Sequence, residues 1–268
     1  MPSPIDILLD PVSLSAIAIY LGLIAWEFLF PARQLPRVKF WYGMGVLAFV
    51  IYFLLSSYLP LLTDQYLARW QLLDLSALPT WIQFTVGFFV YESFLYVWHR
   101  SLHAFTPLWR IFHQMHHSAE RLDTFGAFWL SPLDTIGFTV LFSVALVLVL
   151  GINPQAATAV ILTTFFFAIF QHGNFRTPRW LGYLIQRPES HSYHHAKGIH
   201  KHNYADVPLF DLLLGTFNNP EHHLETGFYH GASYRVVDML LWRDLNKNPL
   251  KPSLQSESKQ AAQGAHIV

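Results

Sequence analysis

The sequence predicts an all-α fold: an integral membrane bundle of four to five transmembrane helices with a cytoplasmic, histidine-rich helical cap. Three observations predict it. Hydrophobic residues fill 53% of the 268 positions and charged residues only 13%, about half the charged share of an ordinary soluble domain. Charge-free runs near the ~20 residues that cross a bilayer core recur along the chain. Ten of the fifteen histidines fall in two short stretches, residues 99–117 and 191–202.

The first span is residues 12–30, with Glu27 its one acid; the second, 41–62, has no charge, and the third, 78–98, has only Glu92. Residues 135–175 contain no Asp, Glu, Lys or Arg. The turn signal Gly151-Ile152-Asn153-Pro154 splits that region into a helical hairpin, 133–150 and 154–171. The first span is expected to remain in the mature protein, because Asp6 and Asp10 precede it where a cleavable leader carries basic residues.

Loop charge sets the orientation. Arg33, Arg37 and Lys39 follow the first span, whereas Asp64, Arg69 and Asp74 follow the second, so the first loop is expected inside. Residues 98–133 and everything after 172 then fall on the cytoplasmic side, which brings the two histidine stretches together. The organisation expected is N-terminal transmembrane helices over 1–80, a catalytic region over 81–245, and a disordered polar tail over 246–268.

Composition also excludes. Seventeen Lys+Arg against seventeen Asp+Glu leave no basic surplus for nucleic acid. The absence of cysteine removes disulfides, thiolate nucleophiles, cysteine-ligated iron–sulfur clusters and thiolate-bound haem. No His-Glu-x-x-His is present, and Gly43, Gly45 and Ala48 lie inside a charge-free span, where small residues serve helix packing rather than a dinucleotide.

The histidines form three clusters: His99 and His103; His113, His116 and His117; His191, His194 and His195. Spacings of three and four put side chains on one helix face, and neutral imidazole is a strong ligand for transition metals. One such cluster at a membrane surface could be a pH-sensitive patch. Eight histidines in three clusters on one side exceed the needs of a single ion, so two ions are expected. His172 lies where the last span leaves the membrane on the same side. Glu92, and after it Asp134, Asp206 and Asp211, are candidates to hold the ligating rings.

The motifs His99-Arg-Ser-Leu-His103, His113-Gln-Met-His116-His117 and His191-Ser-Tyr-His194-His195, separated by a hydrophobic hairpin, resemble the fatty acid hydroxylase/sterol desaturase superfamily. The closing His202-Asn203-Tyr204 and Asp211-Leu-Leu-Leu-Gly215-Thr216-Phe217 are also similar to that family, and the resemblance covers about residues 81–217. It implies a membrane non-haem di-iron enzyme that uses O2 to hydroxylate or desaturate a lipid or sterol. By the same resemblance the metal ligands are His99, His103, His113, His116, His117, His172, His191, His194 and His195, with His202 as a tenth. Two irons, which zinc can replace on purification, are implied as cofactors. The implied partners are a lipid or sterol substrate and an external electron donor, a ferredoxin or a cytochrome b5 with its reductase.

Two departures stand out. Fatty acid 2-hydroxylases carry a further histidine where this chain has Ala168, and many bacterial relatives read His-Pro where it has Ser131-Pro132. Arg110 and Arg179, among cytoplasmic aromatics, suit either the membrane interface or an acidic donor. A bis-histidine cytochrome b using His99 and His172 is the competing reading, and a metal transporter a weaker one, since its site belongs at the bilayer midplane. No residue selects among sterols, carotenoids, acyl chains and ether lipids.

Overall fold

The computed structural model describes residues 1–246, so all but the first residue of the predicted tail lies outside the described residues. These residues are almost wholly helical; instead of a strand they contain one isolated bridge, Ala196 to Thr226. A short α1 (Pro4–Leu8) leads into α2 (Pro11–Leu29) and α3 (Trp41–Leu67). Next come α4 (Thr80–Ala104) and α5 (Thr106–Leu108), which runs through a π-helical turn (Trp109–His113) into α6 (Gln114–His117). The hairpin is α7 (Pro132–Ser143), extended by a π-helical stretch (Val144–Val149), and α8 (Pro154–His172). Short helices α9 (Pro188–His194), α10 (Leu209–Leu213) and α11 (Val236–Leu240) complete the cap.

Among the described residues, four helices are long and apolar enough to cross a membrane: Pro11–Leu29, Trp41–Trp70, Pro132–Val149 and Pro154–His172. The expected third span corresponds to α4, whose 25 residues are ample for a crossing but include Gln83 and Glu92. Both of those are fully buried, so α4 is the polar-lined inner helix of the bundle. It packs against α8, α8 against α2, and α3 against α7.

The hairpin turn follows its residue types. Gly151 takes φ +54°, and a Cβ there would fall on the Gln71 amide and the Leu73 carbonyl. Asn153 caps α8 through its side chain, and Pro154 starts the helix without a backbone N–H to satisfy. The π-helical stretch presents its last carbonyls to a neighbour: Leu148, Val149 and Leu150 accept from the N–H groups of Leu72, Leu73 and Leu75 at 2.7, 3.0 and 3.1 Å. Gln83 joins this end by donating to the Ser76 and Leu78 carbonyls and accepting from Asn153 N–H.

At the other end of the bundle lie the C-termini of α2, α4 and α8 and the N-termini of α3 and α7, tied together by buried polar contacts. One carboxylate oxygen of Glu27 on α2 accepts from Thr124 N–H at 2.8 Å, from the Thr124 hydroxyl at 2.7 Å and from Asn174 N–H at 3.1 Å. The Trp41 indole donates to Asp123 at 2.9 Å. Gly45 lets α3 approach the cap closely, because a Cβ there would stand 2.5 Å from the Phe125 carbonyl oxygen. All the histidine clusters sit at this end, on helices or loops that the bundle delivers to one place.

Thr124 and Asn174 are buried, so replacing Glu27 strands two backbone donors. Glu27→Leu should lower stability by about 2–4 kcal/mol, read as a fall in the melting temperature of the detergent-solubilised protein. An unchanged melting temperature would contradict this joint.

Candidate metal centre

Nine histidines meet in two groups. The first is His99, His103, His113, His117 and His194, and the second is His116, His172, His191 and His195; within each, one ring nitrogen per residue lies within 4.8 Å of the others. Eight of the nine are buried and His103 is nearly so. The clusters do not map one to one onto the groups. Adjacent helical residues point about 100° apart, so each His-x-x-His-His element straddles both. His113 and His117, four apart, stay together while His116 crosses over. His191 and His195 likewise stay together while His194 crosses back. The π-helical turn ends at His113 and hands the chain to α6.

Outer partners fix which nitrogen faces inward in four of the rings. Carbonyl oxygens can only accept, so the N–H must be on Nδ1 in three rings. His99 Nδ1 donates to the Tyr204 carbonyl at 2.8 Å, His172 Nδ1 to that of Ala168 at 2.6 Å, and His194 Nδ1 to that of His202 at 2.6 Å. His113 Nδ1 meets the Asp134 carboxylate at 2.8 Å. The inward Nε2 atoms therefore carry lone pairs, and these face one another. His99 and His113 approach Nε2 to Nε2 at 2.9 Å, His172 approaches His116 and His191 at 3.0 Å, and His191 approaches His195 at 3.1 Å. The Nε2 atoms of His103, His117 and His194 are buried with no hydrogen-bond partner.

Lone pairs opposed at such distances, in a largely buried site, call for a cation. Burial, reinforced by neighbouring imidazoles, pushes His113, His116, His117, His191, His194 and His195 well below the usual histidine range. The rings are thus held in the neutral form that binds metal. All-imidazole donor sets of five and four fit iron, zinc or copper, and the donor chemistry fits two transition-metal ions.

The segment 202–207 presents the carbonyls that hold His99 and His194, and its sequence suits the task. His202 and Asn203 both take positive φ, 72° and 53°, a region that asparagine tolerates better than most residues. The Asn203 amide donates to the Ser190 and Asn218 carbonyls and accepts from Asn218 N–H. Asp211 accepts from the N–H groups of Tyr204 and Ala205 and from the Thr216 hydroxyl at 2.6 Å. Glu92 grips the next residues, accepting from Asp206 N–H at 3.0 Å and Val207 N–H at 3.3 Å. Burial pushes the Asp206 carboxyl up, and it accepts from Gln171 Nε2 at 2.8 Å.

Of the expected ligands, nine come together and His202 does not. Its ring accepts no place in either group and lies 3.2 Å from the Thr216 carbonyl, while its own carbonyl positions His194. Glu92 is hydrogen-bonded to no histidine and instead holds the backbone of Asp206 and Val207, just after the Tyr204 carbonyl that meets His99. His200, not among the expected ligands, is half-buried, 3.2 Å from His117 Nδ1 and pushed down to about 4 by burial. Trp109, with ring centroid 5.0 Å from those of both His103 and His117, was missed as well. Its spacing from His113, four residues, was the available signal. Ser131 caps α7 and donates to the Phe112 carbonyl at 2.9 Å, tying the hairpin to the turn before His113.

Comparison with known proteins follows the same residues. The model of the family described as Fatty acid hydroxylase matches residues 84–216. The chain is 33% identical over 147 residues to the ornithine lipid hydroxylase OlsE of Rhizobium tropici, covering 53% of this chain and 44% of that protein. It is 27% identical over 149 residues to the sphingolipid C4-hydroxylase sur2 of Schizosaccharomyces pombe, covering 52% and 49% respectively. The chain thus spans about half the length of these curated relatives. No solved structure matches it.

Asp134 is fully buried against His113, so its removal frees that ring to turn. Asp134→Ala should weaken metal binding about 10–100-fold, measured by competition with a chelator. Wild-type affinity in a folded variant would contradict the role.

Proposed function

Since the chain belongs, through residues 84–216, to the fatty acid hydroxylase family, we propose that it is a membrane-bound, O2-dependent, non-haem di-iron oxygenase. On this reading it hydroxylates, or desaturates, a lipid or sterol C–H bond with electrons from an external donor. The carrying observation is the pair of histidine groups, five and four, whose ring nitrogens converge, with the Nε2 atoms of His103, His117 and His194 buried and unpartnered. The names of the relatives, hydroxylases of an ornithine lipid and of a sphingolipid, support the substrate class.

One iron is held by His99, His103, His113, His117 and His194, and the other by His116, His172, His191 and His195. Zinc fits the donors but lacks redox chemistry, so its presence in purified protein marks replacement. When bound, two reduced irons supply activation of O2 and attack on an unactivated C–H bond. The chain itself excludes water, keeps nine imidazoles neutral, and holds His99, His172 and His194 through carbonyls and His113 through Asp134. Ala168, which stands where a 2-hydroxylase has a histidine, supplies one of those carbonyls. His202 acts through its backbone rather than as a ligand.

Electrons come from a ferredoxin or a cytochrome b5 with its reductase, because the sequence has no cysteine to hold a cluster of its own. The metal site faces the cytoplasm, where Arg33, Arg37 and Lys39 place the same end of the bundle. Residues 81–245 form the catalytic region, with the helices of 1–80 covering α7 and α8. A cytochrome b built on His99 and His172 is disfavoured, since the two rings belong to different groups and each is packed against other imidazoles at 2.9–3.0 Å. No porphyrin fits between such contacts.

Elemental analysis of detergent-purified protein should find about two iron or zinc ions per chain and no Soret absorption. His113→Ala and His117→Ala should each deplete the first ion, and His195→Ala the second. Folded protein without metal, or one haem per chain, would overturn the proposal.

A further inference from the structure

We propose that an unbranched hydrocarbon chain reaches the histidines by passing between the rings of Tyr52, Phe142 and Phe165, and that this passage excludes fused-ring sterols. The inference rests on the reading above for its chemistry, but the passage itself is argued from cavities and ring packing.

Two cavities adjoin inside the bundle. One, of about 110 Å³, reaches the rings of both histidine groups and is otherwise walled mainly by apolar side chains of α3, α4, α7 and α8. The other, of about 540 Å³, lies between the two N-terminal helices, α3, α7 and α8. Five residues line both: Tyr52, Phe138, Phe142, Ile161 and Phe165. Their order along α8 fixes the arrangement. Ala157 and Thr158 face the larger space only, Ile161 and Phe165 face both, and Ala168, Gln171 and His172 face the smaller only. At 1.5 Å per residue the stretch from Ala157 to His172 is about 22 Å long, a path that leads from the far half of the bundle to the metal ligands.

The partition is made of rings braced by other rings. Tyr52 stacks on Phe128 with centroids 4.2 Å apart, and Phe128 on Phe165 at 5.3 Å. Phe142 stacks on Tyr91 at 3.8 Å with 9° between planes. Rings braced in this way set the shape of the wall that the two cavities share. Volume then decides which lipid fits: an engineered apolar cavity of about 150 Å³ accepts one benzene, and the space beside the histidines is smaller. A four-ring sterol nucleus exceeds that volume, whereas a few methylenes fit it, with the rest of the chain in the larger cavity. No charged side chain lies on the shared wall, so nothing there recognises a head group. Selection is by the cross-section of the chain.

The test uses the purified full chain, with and without iron, and an unbranched fatty acid carrying a diazirine near its end. Photolysis should label residues on α3, α7 and α8 that line the two cavities, in both preparations. Excess unlabelled palmitate should compete and cholesterol should not. Ile161→Trp, which fills the shared wall, should cut labelling at least tenfold with the melting temperature and iron content unchanged. Ala157→Phe, placed in the larger cavity alone, gives a second obstruction should the first variant misfold. Phe142→Ala should let cholesterol compete.

Labelling outside the cavities, labelling unaffected by both obstructions, or cholesterol competing as well as palmitate in the wild type would each overturn the passage. Failure of the di-iron reading would look different: chain-selective labelling would persist in protein that binds no iron.

Discussion

Nine imidazoles packed side by side, eight of them buried, are held neutral, and the lone pairs they turn toward one another suit a shared cation. That constraint accounts for much of the architecture at this end of the bundle. Neutrality follows from burial, since an imidazolium among eight others in a dry site would be repelled by its neighbours and denied hydration. Ring orientation follows, for His99, His113, His172 and His194, from acceptors placed behind them, where a carbonyl or carboxylate takes the outer N–H and leaves the inner nitrogen with its lone pair. Acceptors of this kind cannot be left to mobile loops. Two are anchored in turn: Tyr204 by Asp211, and Asp134 by its place in the first turn of α7.

The membrane helices serve this end in two ways. They deliver α4, α7 and α8 termini to one level, so residues far apart in the chain converge without long flexible connections. They also wall a largely apolar space that extends from the histidines toward the opposite half of the bundle. Glu27 is an acid in a membrane helix without metal, yet its cost is offset by three donors from the cap. The polar joint that holds cap to bundle is therefore built from the same rule that governs the histidines, a buried charge or lone pair answered by a partner.

Much of this was legible in the sequence. Hydropathy found the hairpin, and Gly151, Asn153 and Pro154 behave as their residue types require. The His-x-x-x-His and His-x-x-His-His spacings identified the residues that converge. What spacing could not show is that each doublet divides between two groups, because that depends on how α6 and α9 face one another. The π-helical turn at Trp109–His113 has no sequence signature, and it carries Trp109 onto the rings. His202 looked like a ligand because it closes a histidine-rich stretch, but positive φ turns its ring away and offers its carbonyl. For α4, aromatic and polar residues lower the hydropathy without shortening the helix, so the number of spans read from composition depends on a threshold.

X-ray absorption at the iron edge of the iron-loaded protein tests the central claim most directly. The account predicts a first shell of nitrogen and oxygen with the outer-shell scattering of several imidazoles per iron, and a second iron as a further scatterer. A single isolated iron, a sulfur shell or a porphyrin pattern would contradict it.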